Sequence, residues 1–381
     1  MTDIDSAISR GDQWFLASDA QDTDPGSDTC GCYNAWYDQD LKAYSYGYSE
    51  ITGYALSALA NYPSLPDDPV MKKKADLALG WLNGKMRDPE HGGYHCRVKD
   101  GKIHPWLCSF DNGMILNSFT NMYRATGNEA FLHEAERTAD WLLDFMKDRN
   151  GSFKAKFDVS LGQYIESDER WSTQSGSFLV KNVIGLLNLS DITGDTRCAE
   201  FARGVCEHAL SSQQKDGRFI TNTRLNDTYL HPHCYSIEGL MSAGRYFQED
   251  RYIEACVKGA DWLKNIFSSC GRIPREFVNG EYSGNISSDS TSQSLRIWTL
   301  LAELYDYKFS EDISETIVQW ILGMQCQDED PNAFGGFYYG ITDNKVVRHV
   351  SIHGTMFILQ TLDLVRGRNS TTKDFSLFSL I

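Results

Sequence analysis

The side chains able to do chemistry cluster in a few segments of this 381-residue chain. Six of the nine histidines, His95, His104, His231, His233, His349 and His353, lie in or just beyond stretches rich in glycine, serine and aromatic residues. Glu50, Asp111, Glu238 and Asp289 fall in the same stretches, with Tyr235 beside His231-Pro232-His233. Two kinds of chemistry suit these groups. Hydrolysis of a glycosidic bond needs a protonated acid facing a second carboxylate, and Asp111 with Glu50 or Glu238 supplies such a pair. Proton abstraction from a carbon beside a carbonyl or carboxylate suits His233, His349 or Tyr235, with an arginine to steady the developing charge. Trp36, Tyr46, Tyr48, Trp106 and Trp171 offer flat faces for sugar rings, and His231, Asp289, Arg348 and His353 offer polar contacts to hydroxyls. Arg97, Arg170, Arg224, Arg275 and Arg348 suit a sugar that carries a carboxylate. A plainer reading stands beside this one: Asp111 is an ordinary first-turn carboxylate, and the aromatic loops only cover the end of the fold.

Other chemistries fit less well. His349 and His353 stand four apart and share a helix face, but one pair is an incomplete metal site. Cys30-Gly31-Cys32 is too tight for a zinc knuckle, and the chain has no Cys-x-x-Cys. Glycines recur along the whole chain rather than clustering after a strand, so no phosphate loop is expected. The expectation is no resident cofactor and no metal. A net charge of −16 argues against nucleic acid as a partner. No apolar run reaches the length of a membrane span, and the acidic start Met1-Thr2-Asp3-Ile4-Asp5 is unlike a secretory leader. Cysteines such as Cys198, Cys206 and Cys256 sit inside helical patterns as buried thiols, so a reduced, cytoplasmic protein is expected, a monomer or weak homo-oligomer.

A repeat must position these residues. Glycine followed two residues later by an aromatic or aliphatic residue recurs at Gly31-Cys32-Tyr33, Gly92-Gly93-Tyr94, Gly151-Ser152-Phe153, Gly217-Arg218-Phe219, Gly271-Arg272-Ile273 and Gly335-Gly336-Phe337. The period is about 60 residues, right for one helical hairpin and a loop. Trp14, Trp81, Trp141, Trp262 and Trp320 precede five of the marks on helical patterns, and Leu210 takes that place in the other. Apolar spacing predicts helices near 5–18, 48–62, 70–86, 111–126, 129–147, 176–193, 195–212, 235–248, 250–268, 291–306, 311–325 and 350–366. Twelve helices make six hairpins if the first pairs with the last. The first and last units lack the polar faces of solenoid caps, so a closed ring is expected, one all-α domain over 1–381 with a C-terminal tail at 367–381. Inner helices would then start at one mouth, where free N–H groups and positive dipole ends gather.

These marks resemble the six-hairpin (α/α)6 toroid superfamily of carbohydrate-active enzymes. Phe110-Asp111-Asn112-Gly113-Met114 resembles the aspartate-led inner helix of unsaturated glucuronyl hydrolases, which implies a catalytic Asp111. Arg348-His349-Val350, with His231-Pro232-His233 and Glu238, is similar to N-acylglucosamine 2-epimerases, which use two histidines as acid and base. The chain departs from that pattern at Tyr235, where a histidine is expected three residues before Glu238. The stretch Leu230 to Leu240 also resembles uncharacterised proteins encoded with polysaccharide assembly genes. Together these imply an enzyme acting on a uronic-acid-containing oligo- or polysaccharide, of hydrolase or lyase type, with a sugar epimerase as the alternative. Prenyltransferase and terpene cyclase toroids share Gly-Gly-Phe marks like Gly335-Gly336-Phe337, and a non-catalytic glycan-binding toroid is the third class. Charged loop residues fit a polar sugar better than an isoprenoid.

Overall fold

A computed structural model describes residues 3–166, 170–367 and 376–381. Among them twelve α-helices run in chain order: α1 (Asp3–Ala17), α2 (Ser49–Ala60), α3 (Pro69–Trp81), α4 (Ser109–Thr126), α5 (Glu129–Asp144), α6 (Val183–Thr193), α7 (Thr196–Ser211), α8 (Leu230–Phe247), α9 (Asp250–Cys270), α10 (Ser288–Tyr305), α11 (Glu311–Gly323) and α12 (Ile352–Gly367). Outer helices such as α5 bury one stripe, Phe131, Ala135, Ala139 and Leu142 among it, and leave the other side wet. Inner helices are enclosed all round: every residue of α10 from Ser288 to Leu301 is buried. Packing runs α2 on α4, α4 on α6, α6 on α8, α8 on α10, α10 on α12, and α12 back on α2, while α1 covers α12. The ring is closed and the fold is the (α/α)6 toroid.

The repeating glycine has a steric cause. At Gly31, Gly217 and Gly335 the exit loop crosses an outer helix of a neighbouring unit at backbone contact distance. A Cβ on Gly31 (φ +103) would lie 2.1 Å from the Leu77 carbonyl oxygen in α3, and one on Gly335 (φ +91) 2.4 Å from that of Arg10 in α1. The residue two further on drops into the core: Tyr33, Tyr94, Phe153, Phe219 and Phe337 are fully buried. Short antiparallel strands then join consecutive loops, as where Trp106–Cys108 pairs with Lys156–Asp158. The widest sheet sets Trp36–Asp38 beside Lys345–Ser351 and ties the two ends of the chain together at the mouth.

Two differences from the sequence reading matter. Helix α8 begins at Leu230 rather than 235, with Pro232 in its first turn, where a missing N–H costs nothing. The predicted tail at 367–381 has residues 368–375 outside the described residues, whereas 376–381 are seated in the ring's far end. There Leu377, Leu380 and Ile381 are buried, and Asn121 and Gln360 donate to the carbonyls of Phe378 and Ser379. No helix among the described residues is long and apolar enough to cross a membrane.

Candidate active site

The inner helices α2, α4, α8, α10 and α12 start around a cavity of about 390 Å³ at the mouth. Glu50 and Asp111 enter it from the first turns of α2 and α4, His231 and Asp289 from those of α8 and α10, and His353 from that of α12. Trp36, Tyr46, Tyr48, Trp106 and Trp171 wall it, with His349 in the lining where its ring stacks on Trp36 at 5.4 Å. Eleven of the sequence-predicted site residues therefore share one cavity.

Two of its three carboxyl groups are shifted upward by burial. Burial lifts Asp111 well above the usual aspartate range, and the neighbouring Glu50 and Cys96 lift it further. Asp111 Oδ2 is buried without a hydrogen-bond partner, so the plain helix-capping role does not account for this side chain. Glu50 is raised by burial too, with His353 and the hydroxyls of Tyr48 and Tyr54 acting against it. Opposite them sits an ionised group. Burial pushes Asp289 up, but His231, His353 and the Ser287 hydroxyl outweigh it and hold the carboxylate far down. His353 Nε2 lies 3.3 Å and His231 Nδ1 3.8 Å from Asp289 Oδ2. His231 Nδ1 also lies 2.6 Å from Gln293 Oε1, which assigns the proton to Nδ1 and leaves Nε2 basic. Burial lowers the pKa of His231, against the pull of Asp289.

Three of the predicted catalytic residues lie elsewhere, and helix geometry explains each. Because α8 already turns at His231, His233 is rotated about 200° from it and faces outward. It is fully buried against Trp262, accepting from the Phe219 N–H at Nδ1 (3.2 Å) with Nε2 at the Gly259 carbonyl (3.3 Å). Tyr235 packs behind the lining residues Phe110 and His231, its hydroxyl 2.7 Å from that of Tyr54. Glu238, seven residues past His231, lies about 10 Å deeper along the helix. It is locked between Lys181 Nζ (2.6 Å) and Arg296 Nη2 (2.5 Å), and these cations outweigh burial to keep it ionised. Arg348 also leaves the site: it neighbours His349 on a strand, so the two point oppositely, and Arg348 pairs with Asp40 Oδ1 at 2.8 Å.

Of the arginines named for a sugar carboxylate, Arg97 lines the cavity with its guanidinium 5.2 Å from the Tyr46 ring centre, and Arg170 lines it too. The cavity also gains Tyr339, Ser351, Cys96 and Cys108, which the sequence reading left out of its site. Position in the repeat carried a signal: Trp36, Arg97 and Tyr339 each follow a buried mark residue by two or three places. Two groups of donors come within 4.8 Å of one another, His231–Asp289–His353 and Cys96–Cys108–Asp111, close enough to hold a metal ion.

No protein-family model matches the chain, and no curated protein matches it in sequence. Solved structures match almost end to end. A cellobiose 2-epimerase from Bacillus thermoamylovorans B4167 aligns at a TM-score of 0.77 and 13% identity, over 94% of this chain and 99% of that one. A D-mannose isomerase aligns at 0.74 and 10%, over 95% and 97%. An unsaturated glucuronyl hydrolase from Bacillus sp. GL1 aligns at 0.69 and 16%, over 96% and 98%. At such identities what the chain shares with these proteins is the (α/α)6 toroid.

Proposed function

We propose that this chain is a carbohydrate-active enzyme that hydrolyses an oligosaccharide carrying a uronic acid. The observation that carries this reading is Asp111, a buried carboxyl group lifted well above the usual aspartate range, with an unpartnered oxygen on the wall of a cavity lined by arginines and aromatic rings. Asp111 donates its proton to the leaving oxygen as the bond to the sugar breaks. Water then adds to the sugar carbon, with Glu50 taking the water's proton. Arg97 and Arg170 hold the sugar carboxylate, and Trp36, Trp106 and Trp171 cover its ring faces. The ten free cysteines fit a reducing compartment, so we place the activity in the cytoplasm, in a monomer or weak homo-oligomer.

A second reading, epimerisation, draws on His231 and His353. These flank Asp289 in the same cavity with ring centres 5.9 Å apart, a pair able to remove and return a proton on a sugar carbon. The names of the epimerase and isomerase neighbours support it. One screen separates the two: purified protein with neutral and uronic-acid oligosaccharides, read by new reducing ends, by absorbance of a new C=C bond and by epimer ratio in NMR. New reducing ends from uronides support the proposal. A change in epimer ratio without cleavage replaces it with the second reading, and a new C=C bond points to a lyase.

A further inference from the structure

Of the two donor groups in the cavity, one is already satisfied. Asp289 has two histidines on one carboxylate oxygen and the Ser287 hydroxyl and Ser290 N–H on the other. The second group is not. Cys96, Cys108 and Asp111 are all buried, all line the cavity, and present two sulfurs and a carboxylate oxygen within 4.8 Å of one another. Asp111 is 4% exposed and its Oδ2 finds no partner, a costly arrangement for a side chain fixed in the first turn of α4.

We propose that Cys96, Cys108 and Asp111 bind a thiophilic divalent cation, zinc by their chemistry, with its fourth position open to the cavity. Two thiolates and a carboxylate are ligands that zinc takes in tetrahedral sites, and three protein ligands with one open position is the arrangement of zinc that meets small molecules. The positions are rigid. Cys96 donates its N–H to the Trp106 carbonyl and Cys108 ends the next strand, so the backbone of one hairpin fixes the spacing of both sulfurs. Arg97 acts on Cys96 and Asp111, and Lys156 acts on Cys108, so cations stand by to offset the single negative charge left by three anions and a divalent ion. A disulfide between the two sulfurs would leave the Asp111 oxygen unexplained; a metal ion explains all three.

Binding releases the protons of both thiols and of Asp111 to solvent, with no change of oxidation state. Zinc therefore occupies the carboxyl group that the proposed hydrolysis uses as its acid, and inhibits. That consequence rests on the hydrolytic reading, whereas the binding does not.

The test is a titration of reduced, chelator-treated full-length protein with cobalt, then zinc. One cobalt per chain with a thiolate charge-transfer band, displaced by zinc, is expected. Cys96→Ser and Cys108→Ser should each weaken binding by more than the about 10–100-fold that follows loss of an outer-shell partner. Should those variants misfold, the unaltered protein still decides: one equivalent of zinc should shield Cys96 and Cys108, mapped by mass spectrometry, from a thiol-reactive disulfide. A cobalt spectrum without sulfur character, equal affinity for magnesium, or unshielded thiols overturns the site. Turnover that rises with zinc overturns the inhibition. Absence of turnover on any uronide defeats the hydrolytic reading and leaves the binding result to stand or fall on its own.

Discussion

At the scale of single residues, environment separates side chains of one type. His231 and His233 are two positions apart on one helix, yet one faces a sugar-sized cavity and the other a dry helix interface. His233 accepts a backbone N–H at Nδ1, so protonating that nitrogen breaks a buried bond; burial first, and Arg218 as well, bring its pKa down to about 3. An unfolded histidine titrates near 6.5, so between those values the unfolded chain binds more protons and stability falls as the pH is lowered. His233→Gln should flatten denaturation midpoints plotted against pH across that window, by up to about 1.4 kcal/mol per pH unit. An unchanged slope would show that His233 is not held neutral by the fold. Arg97 differs in kind, since it lines the cavity over Tyr46 and has substrate to lose. Arg97→Gln should raise KM for a uronide about tenfold or more, with little change for the neutral analogue. Equal effects on both substrates would remove Arg97 from carboxylate recognition.

At the scale of elements, the twelve helices were legible because each inner and outer helix carries its own apolar period, and the glycine marks at Gly31, Gly217 and Gly335 have a physical cause, since loop and helix backbones touch there. Helix starts were the weak point. Pro232 and the polar His231 and His233 read as a loop, whereas proline in a first turn is compatible with a helix. That five-residue difference turned His233 outward and carried Tyr235 and Glu238 below the mouth, so these three side chains lie outside the cavity. Asp111 falls in the first turn of α4, which Phe110, Met114 and Ile115 frame unambiguously. The Cys96–Cys108 approach was not legible, since it depends on strand register between two loops. Inner-helix packing makes its own test at Gly239, whose added Cβ would lie 2.2 Å from the Val180 carbonyl oxygen. Helix propensity alone favours Gly239→Ala by about 1 kcal/mol. Overpacking against backbone should win, with a net loss of about 1–3 kcal/mol in chemical denaturation. A stabilised variant would mean that α8 does not pack this closely.

At the scale of the whole molecule, closure decides both stability and function, because the cavity draws residues from both ends of the chain. Trp36 stacks on His349 across more than 300 positions, and α1 buries Ala7, Ile8, Trp14 and Phe15 to complete the last hairpin. Removing residues 1–18 should strip α12 of its cover and give aggregated or unfolded protein by circular dichroism and size exclusion; a folded, active remainder would contradict the closed ring. The deep network of Glu238, Lys181 and Arg296 lies at the hub, and its buried charges tie α8, α10 and the turn before α6 together. The mouth above it is where the proposed chemistry happens, and one comparison tests that claim most directly. Turnover of a uronic-acid oligosaccharide is measured for the unaltered chain and for Asp111→Asn, alongside ligand binding and circular dichroism for each. The account expects kcat to fall about 10²–10⁴-fold in Asp111→Asn while binding and fold are kept; near-native turnover in that variant would contradict it.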